Sequence, residues 1–402
     1  MKSLLADKKI LFGISGSIAV YKAAEWVREL AKTGADVTVV MTDAATRFVS
    51  SLTFATLSGN RVYTGMFEPD AGENVTHINL ARECDLFIIA PATAQTIAKL
   101  ANGFADNLLS SLALASRAKM LVFPAMNSNM FSHAATQANL ARLKEYEYSI
   151  IEPEEGILAC GDEGVGRLVE WEVARETILS AFAPQDLQGQ TVIITAGPTC
   201  EPFDPARHLS NRSSGKMGFA LARSAKRRGA KVILISGPTS LEALSGVEMI
   251  NVTSALEMHE AVMENYNNAD IVVMAAAVSD YRPEKRVEQK IKKSSDSIDL
   301  EMVPNPDILK ELGKRKDKTK CPLLVGFAAE SSDHLEEGKR KLKEKNLDLI
   351  VINDIIGKDT GFGTDTNQVN LIDRDYQLEK LPILTKEECA YIIWEKIVKL
   401  LQ

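Results

Sequence analysis

Positive charge is scarce in this sequence: 47 Lys and Arg stand against 54 Asp and Glu, a formal net charge of −7 over 402 residues. A nucleic-acid partner is therefore not expected, because a phosphate backbone needs a basic face. Long apolar runs are missing as well. None approaches the roughly 20 residues that cross a bilayer, and Met1 to Lys9 is no signal peptide, so the expectation is a cytoplasmic protein without membrane contact. The five cysteines, at 84, 160, 200, 321 and 389, are odd in number and widely scattered. They form neither a disulfide framework nor a zinc pattern, so any cysteine with a role acts alone. Two nucleotide signatures are absent too. Gly13-Ile-Ser-Gly-Ser-Ile-Ala19 lacks the G-x-G-x-x-G spacing, and Lys216 is followed by Met217 with no glycine five residues before Gly215, which excludes a Walker A loop.

What remains is the composition of a globular enzyme, 45% hydrophobic and 25% charged, on a chain long enough for two cores. Both halves share one grammar. Lys9 to Gly16, Gly34 to Thr42 and Asp85 to Thr93 are short apolar runs separated by helical patterns, and Thr191 to Pro198, Gly229 to Gly237 and Asp270 to Asp280 repeat the scheme. Such runs read as parallel strands of βαβ units, predicting an α/β protein of two doubly wound parallel-sheet domains. The helical stretch Trp171 to Phe182 ends before Pro184-Gln-Asp-Leu-Gln-Gly-Gln190, which places the domains at 1–189 and 190–402. Glu154 to Gly166, rich in glycine, and Tyr281 to Asp299, rich in charge, read as mobile segments of the kind that form lids.

The densest chemistry lies between Thr195 and Gly218. A strand breaks into a turn-rich loop with Gly197, Pro198, Pro202 and Pro205, and a helix opens near Met217. Ser213 or Ser214 can cap that helix, and its free amides, its dipole and Lys216 attract phosphate. Glu201, Asp204, Arg207, Asn211 and Lys216 share this loop at the carboxyl end of a predicted parallel strand, where α/β folds place ligands. In the first half, the loop from Gly13 suits a single phosphate and hence a mononucleotide. Asp43 follows the second strand and could mimic a ribose-binding acid, so a nicotinamide site is disfavoured without being excluded. Pro91-Ala-Thr-Ala-Gln95 and Pro124-Ala-Met-Asn-Ser-Asn-Met130 end two further strands at the same sheet edge. Taken singly, His77 reads as a surface or capping histidine and Asn127 as a turn residue. Cys160, in the glycine-rich segment, stands out because structural cysteines prefer rigid cores.

Together, His77, Pro91-Ala-Thr-Ala94, Pro124-Ala-Met-Asn127 with Met130, and Ala159-Cys-Gly-Asp162 resemble the phosphopantothenoylcysteine decarboxylases. Gly197-Pro-Thr to Gly218, Ala275-Ala-Ala-Val-Ser-Asp280, Lys290-Ile-Lys-Lys293, Asn305-Pro-Asp307 and Gly326-Phe-Ala-Ala-Glu330 resemble phosphopantothenate–cysteine ligase. The chain is thus similar to the bacterial bifunctional proteins of coenzyme A synthesis. That resemblance implies a flavodoxin-like or Rossmann-like flavoprotein domain followed by a Rossmann-like ligase domain. For the first half it implies FMN held by Gly13, Ser15, Gly16, Ser17, Thr42, Thr93 and Ala94. It further implies His77 as active-site base or orienting group, Asn127 on the substrate carboxylate and Cys160 as proton donor. A cysteine-derived carboxylate has no electron sink of its own. Oxidation of the thiol to a thioaldehyde at a flavin supplies one, CO₂ leaves, and the enethiolate must be protonated and reduced. A thiol of ordinary pKa, about 8.5, is mostly protonated at neutral pH, which suits a donor.

For the second half the resemblance implies two steps. The carboxylate of 4′-phosphopantothenate attacks the α-phosphate of CTP, and the amine of cysteine then displaces CMP from the acyl-cytidylate. Asp280 would ligate Mg²⁺, and Lys290 would cover the triphosphate from a flap. Met274, Ala275, Ala276, Pro306, Asp307, Ile308, Leu309, Phe327, Lys341 and Lys345 would complete the CTP site, Phe327 against the base. Asn211 would hold the acyl-cytidylate, with Arg207 and Ala277 beside the pantothenate portion. The family also implies a homo-oligomer, a dodecamer. Pro205-Ala-Arg-His-Leu-Ser-Asn211 departs from the family's usual Val-Arg-Tyr-Ile while keeping Arg207 and Asn211, and Phe131 and Ser331 are minor departures. A flavin-binding regulatory protein is a rival reading, opposed by the presence of His77, Asn127 and Cys160. A two-domain nicotinamide dehydrogenase is another, opposed by the missing fingerprint.

Overall fold

A computed structural model of the protein describes residues 4–66, 76–159, 161–291, 299–316, 322–330, 334–354 and 363–402. The chain divides into two compact units, Lys2–Ala183 and Pro184–Gln402. The first contains β1 (Lys9–Ile14), α1 (Val20–Lys32), β2 (Asp36–Met41), α2 (Asp43–Thr46), α3 (Ser51–Ser58), β3 (Val62–Tyr63), α4 (Thr76–Glu83) and β4 (Leu86–Ala92). It continues with α5 (Ala94–Ala101), α6 (Leu108–Ala115), β5 (Lys119–Pro124), α7 (Ser128–Ser132), α8 (Ala134–Glu145), β6 (Ser149–Ile150), β7 (Glu154–Ile157), β8 (Glu163–Arg167) and α9 (Trp171–Phe182).

The main sheet runs β3-β2-β1-β4-β5-β6 with parallel neighbours. Its central strands are apolar throughout because both faces are covered, as doubly wound sheets require. On one face, α1 presents Val20, Ala23, Trp26, Val27 and Leu30 at helical spacing, and Trp26 meets Phe123 edge-on with ring centroids 5.1 Å apart. On the other face, Leu11, Phe87 and Ile89 pack with Ile97, Leu109 and Leu112 of α5 and α6. Gly13 is needed there, since a Cβ at that position would sit 2.7 Å from Leu109 Cδ1.

The second unit contains β9 (Thr191–Ala196), β10 (Cys200–Asp204), β11 (Arg207–Ser210), α10 (Lys216–Arg227), β12 (Lys231–Ser236), β13 (Glu248–Asn251), α11 (Ala255–Asn265), β14 (Ile271–Met274), β15 (Tyr281–Pro283), β16 (Met302–Pro304) and α12 (Ile308–Arg315). It ends with β17 (Leu323–Glu330), α13 (His334–Glu344), β18 (Leu349–Asp354), β19 (Thr366–Asn367), β20 (Val369–Asp373), β21 (Leu378–Lys380), β22 (Leu384–Thr385) and α14 (Lys386–Leu401). The main sheet runs β13-β12-β9-β14-β17-β18-β20-β21, parallel as far as β18 and antiparallel beyond it. Taken in chain order, the parallel strands of both sheets fall into the same sequence, 3-2-1-4-5-6. Each sheet therefore has a switch point where connections leave in opposite directions, between β1 and β4 and between β9 and β14.

Three local expectations need correction. The turn-rich loop after β9 holds a hairpin, β10 paired with β11, whose register shifts between Pro202 and Asp204. Of the prolines that signalled a loop, Pro202 sits at this irregularity, where a missing N–H costs the ladder little. The glycine-rich segment is likewise a hairpin, β7 paired with β8. Finally, the segment Pro184 to Gln190 packs as part of the second unit: Leu187 is fully buried in that core, and Asp186 pairs with the buried Arg228.

Candidate functional site

The first site gathers on the carboxyl ends of β1, β2 and β4, beside the switch point. Ser15 is buried. Its hydroxyl donates to Pro91 O at 2.7 Å and accepts from Thr93 N at 2.9 Å, which locks the loop after β1 to the loop after β4. Gly16 lies so close to α2 that a Cβ would meet Ala44 Cβ at 2.4 Å. Ser17 accepts from Ala19 N, Thr42 caps α2 through Ala45 N, and Thr93 caps α5, which begins at Ala94, through Thr96 N. All seven residues expected to hold FMN thus lie on three adjacent strand ends, with hydroxyls and helix starts suited to a phosphate.

Asn127 stands at the end of β5 and caps α7, its Oδ1 accepting from Asn129 N at 2.9 Å. Its Nδ2 donates to Asp162 Oδ2 at 3.1 Å. The hairpin that carries Asp162 rests flat on this loop: Met126 N donates to Gly166 O at 3.0 Å. Side chains at two of its glycines would collide, since a Cβ on Gly166 would lie 2.2 Å from Met126 O and one on Gly164 would lie 2.9 Å from Ser128 Cβ. Asn127 and the Cys160 segment are thus brought together. His77 is on α4, but its side chain, like Cys160 itself, lies outside the described residues. Among other thiols, burial pushes Cys389 up to about 12 and raises Cys84, so neither is poised for chemistry.

The second site is a cavity of about 540 Å³ at the β9/β14 switch point. β14 ends at Met274, and the chain turns through Ala275–Asp280 along the cavity wall, pinned where Ala276 N donates to Thr195 Oγ1 at 3.1 Å and Ala277 N donates to Gly197 O at 2.9 Å. Opposite stands the start of α10. Gly215 caps it in the left-handed region, φ 76°, and no side chain occupies the cap. Among the described residues, Ser213 Oγ accepts only from Gly215 N and neither serine caps the helix, which leaves its first amides without a side-chain cap, as an anion requires. Gly215 admits no Cβ, which would meet Thr239 Cγ2 at 2.7 Å, and Gly218 lies against Ala196 just as tightly.

Of the residues expected around CTP and its acyl partner, Asn211, Met274, Ala275, Ala276, Ala277, Asp280, Pro306, Asp307, Ile308, Leu309, Phe327, Lys341 and Lys345 line this cavity. Gly326 lets α12 approach the sheet at Leu309, which a Cβ would strike at 2.7 Å. Asn211 Nδ2 donates to Ala277 O and Val278 O at 3.1 and 3.3 Å. Lys345 pairs with Asp307 at 2.8 Å, and Lys216 with Asp365 at 2.6 Å. Asp280 offers one exposed carboxylate, and among the described residues no group of three or more His, Cys, Asp or Glu could hold a metal. That suits Mg²⁺ bound through one carboxylate and substrate phosphates.

Lys290 and Arg207 are not part of the cavity wall. Both are exposed, and Ile291, the residue after Lys290, is tied to the hairpin at both ends, its N–H donating to Asp204 Oδ2 at 3.2 Å and its C=O accepting from Arg207 NH2 at 3.3 Å. Lys292 and Lys293 lie outside the described residues. Two carboxylates grouped with the phosphate loop have structural partners instead. Glu201 is buried and accepts from Ala255 N at 3.0 Å at the start of α11, and Asp204 is buried beneath the hairpin, accepting from Ala206 N at 2.7 Å. Sequence reasoning missed Asn305, Asn353, Gly363, Asn367 and Lys386, all on the cavity wall. Asn305 carried a signal, the Asn-Pro-Asp run. The others come from elements far along the chain, and none belongs to a recognisable motif.

Comparison with known proteins covers both units. Residues 2–182 match the family model described as Flavoprotein, and residues 187–401 match the DNA/pantothenate metabolism flavoprotein C-terminal domain. The chain is 45% identical over 401 residues to the coenzyme A biosynthesis bifunctional protein CoaBC of Bacillus subtilis, covering 99% of this chain and 98% of that one. Among solved structures, the C-terminal domain of a CoaBC protein is 42% identical, with a TM-score of 0.46, covering 54% of this chain and 98% of that one. A PPC decarboxylase mutant complexed with pantothenoylaminoethenethiol is 30% identical, with a TM-score of 0.40, covering 43% of this chain and 96% of that one.

Proposed function

The chain belongs to the CoaBC family of bifunctional coenzyme A biosynthesis enzymes, flavoprotein decarboxylase and ligase in one polypeptide, and from that premise we propose how its residues divide the work. The ligase unit takes 4′-phosphopantothenate, cysteine and CTP, and the decarboxylase unit converts the product to 4′-phosphopantetheine. The observation that carries this reading is the cavity between the open start of α10 and the Met274–Asp280 turn. It offers amides for phosphate, a half-buried aromatic face at Phe327 for a base, and Lys341 and Lys345 for charge.

In the ligase unit the carboxylate of phosphopantothenate attacks the α-phosphorus of CTP, and pyrophosphate leaves. The α10 amides and Lys341 stabilise the charge that builds on the phosphates. Lys290, on the segment beside Arg207, adds a cation from outside the wall. Asp280 would hold Mg²⁺, which when bound neutralises phosphate charge. Asn211 holds the acyl-cytidylate, fixed by its bonds to Ala277 O and Val278 O. The amine of cysteine then attacks the acyl carbon, and CMP departs with the electron pair of the broken C–O bond.

In the decarboxylase unit Gly13, Ser15, Gly16, Ser17, Thr42, Thr93 and Ala94 would hold FMN, which when bound supplies the reversible oxidation of the substrate thiol. Asn127 binds the substrate carboxylate and His77 orients the reacting group. Cys160, two residues before the Asp162 that binds Asn127, donates the final proton. The active form is a homo-oligomer in the cytoplasm, a dodecamer by family resemblance. The test is incubation with 4′-phosphopantothenate, cysteine and CTP. The expected product by mass is 4′-phosphopantetheine, with CMP, pyrophosphate and CO₂ released, from a protein that is yellow when purified. The absence of both pyrophosphate release and CO₂ release from these mixtures would refute the assignment.

A further inference from the structure

One part of the ligase cavity is unused by that assignment. Its wall there is formed by Asn353 of β18, Asn367 of β19 and Lys386, the first residue of α14. Asn367 is 3% exposed and Lys386 9% exposed. The carboxamide oxygens of Asn353 and Asn367 are both buried, and neither has a hydrogen-bond partner among the described residues. The Asn367 amide nitrogen is turned the other way, onto Met217 Sδ at 3.6 Å, which leaves its oxygen as the free end. The two asparagines are brought close because Asn353 lies opposite Val369 of β20, two residues beyond Asn367.

Lys386 has the complementary character. Its ammonium donates to the carbonyls of Thr364 and Thr366, which uses two of three N–H bonds. No carboxylate pairs with it directly among the described residues, and the nearby Asp365 is engaged by Lys216. A buried ammonium with an unused donor favours an anion, and buried acceptors without donors favour a cation or an N–H group.

We propose that this wall is the subsite for the second substrate, a free α-amino acid in zwitterionic form. The oxygens of Asn353 and Asn367 accept from its ammonium group, and Lys386 pairs with its carboxylate. The inference rests on the ligase reading and adds to it the determinant for the amine acceptor. The site opens on the same cavity as Asn211, so the amine released from its ammonium form is held where the acyl-cytidylate is held. One proton passes to water before attack and a second after the C–N bond forms, as the C–O bond to CMP breaks. A lysine that reads the carboxylate also explains how an amino acid is selected over a simple amine.

The test compares two acceptors, cysteine and cysteamine, which differ only in the carboxylate. The full-length protein is given 4′-phosphopantothenate and Mg²⁺–CTP, and consumption of the acyl-cytidylate is followed at varied acceptor concentration. The wild type should favour cysteine in kcat/KM. In Lys386→Met the cysteine-to-cysteamine ratio should fall by about tenfold or more, since a charge pair in a buried site is worth at least that, and Lys386→Arg should restore most of it. A ratio unchanged within twofold in Lys386→Met overturns the proposal, whatever the overall rate. Asn353→Ser supplies an independent arm: its KM should rise for both acceptors, and an unchanged KM for both overturns the ammonium half. If the wild type forms no acyl-cytidylate at all, the ligase reading itself has failed and the subsite falls with it.

Discussion

Asn127 donates its amide to Asp162 at 3.1 Å, and this bond ties the loop that ends β5 to the hairpin that carries Cys160. The carboxamide proposed to bind substrate is thereby coupled to Asp162, two residues after Cys160 in the sequence. The same side chain caps α7 through Asn129 N, so its orientation is fixed from both sides.

Asp162→Ala should therefore impair decarboxylation without touching ligation. Removing the acceptor frees the hairpin end and lets Asn127 rotate, and misplacement of a positioned group costs on the order of 10²-fold in rate. CO₂ release should fall by roughly that amount, while pyrophosphate release from CTP stays at the wild-type rate. Equal losses in both assays would show that Asp162 serves global stability instead.

Cys160→Ser separates the last decarboxylase step from the earlier ones. A serine hydroxyl is far too weak an acid to replace the thiol in the final proton transfer. CO₂ should still be released, and an oxidised enethiol product should accumulate, detectable by mass. Normal yields of phosphopantetheine from the mutant would remove Cys160 from the mechanism.

The two units should be separable, and the position of the cut decides how well. Arg228, 1% exposed, binds Asp186 with Nε at 2.8 Å from Oδ1, and Leu187 is fully buried beside it. A fragment beginning at Gln190 loses both. Deleting a buried leucine costs about 2–5 kcal/mol, and Arg228 is left with Glu395 as its remaining carboxylate partner among the described residues. Residues 184–402 should fold, and residues 190–402 should melt far lower or aggregate. Equal melting temperatures for the two fragments would refute this account of the linker.

Much of this was legible in the chain. Parallel strands show as continuous apolar runs, so β1, β2, β4, β9, β12 and β14 could be placed from Ile, Val and Leu alone. The shared strand order could not, since period and composition say nothing about which neighbour a strand chooses. The open start of α10 was visible through Ser213, Ser214, Gly215 and Lys216, although the way it is kept open was misread. The serines do not cap the helix, and it is the left-handed Gly215 that keeps it open. Glu201 and Asp204 look like part of a ligand loop because a carboxylate's local sequence does not reveal a buried backbone donor such as Ala255 N. Lys386 and Asn367 were invisible for a related reason: only the return of the chain past β18 brings them to the cavity.

Gly215→Ala tests that open helix start. The new methyl group meets Thr239 Cγ2 at 2.7 Å in a backbone conformation with φ 76°, so both sterics and torsion oppose it. Overpacking alone costs about 1–3 kcal/mol. The expected result is lowered thermal stability and a raised KM for CTP, with flavin content and CO₂ release from supplied phosphopantothenoylcysteine unchanged. An unaltered KM for CTP would place the triphosphate elsewhere.

Asn211 and Lys290 should fail at different half-reactions. Lys290 is exposed on the segment beside Arg207 and lies outside the cavity wall, so its contribution is charge supplied as CTP is attacked. Lys290→Gln should suppress pyrophosphate release, the first step. Asn211 lines the cavity and donates to Ala277 O and Val278 O. Asn211→Asp removes that donor and sets a carboxylate against two carbonyl oxygens and an anionic intermediate at nearly unchanged volume. The acyl-cytidylate should then form from phosphopantothenate and CTP, build up, and resist added cysteine, because the group that aligns its carbonyl for the amine is gone. Quench-flow with mass detection reads both steps in one experiment. Should both variants lose pyrophosphate release to the same degree, with no trapped intermediate, the two residues serve a single step and the division of labour is wrong.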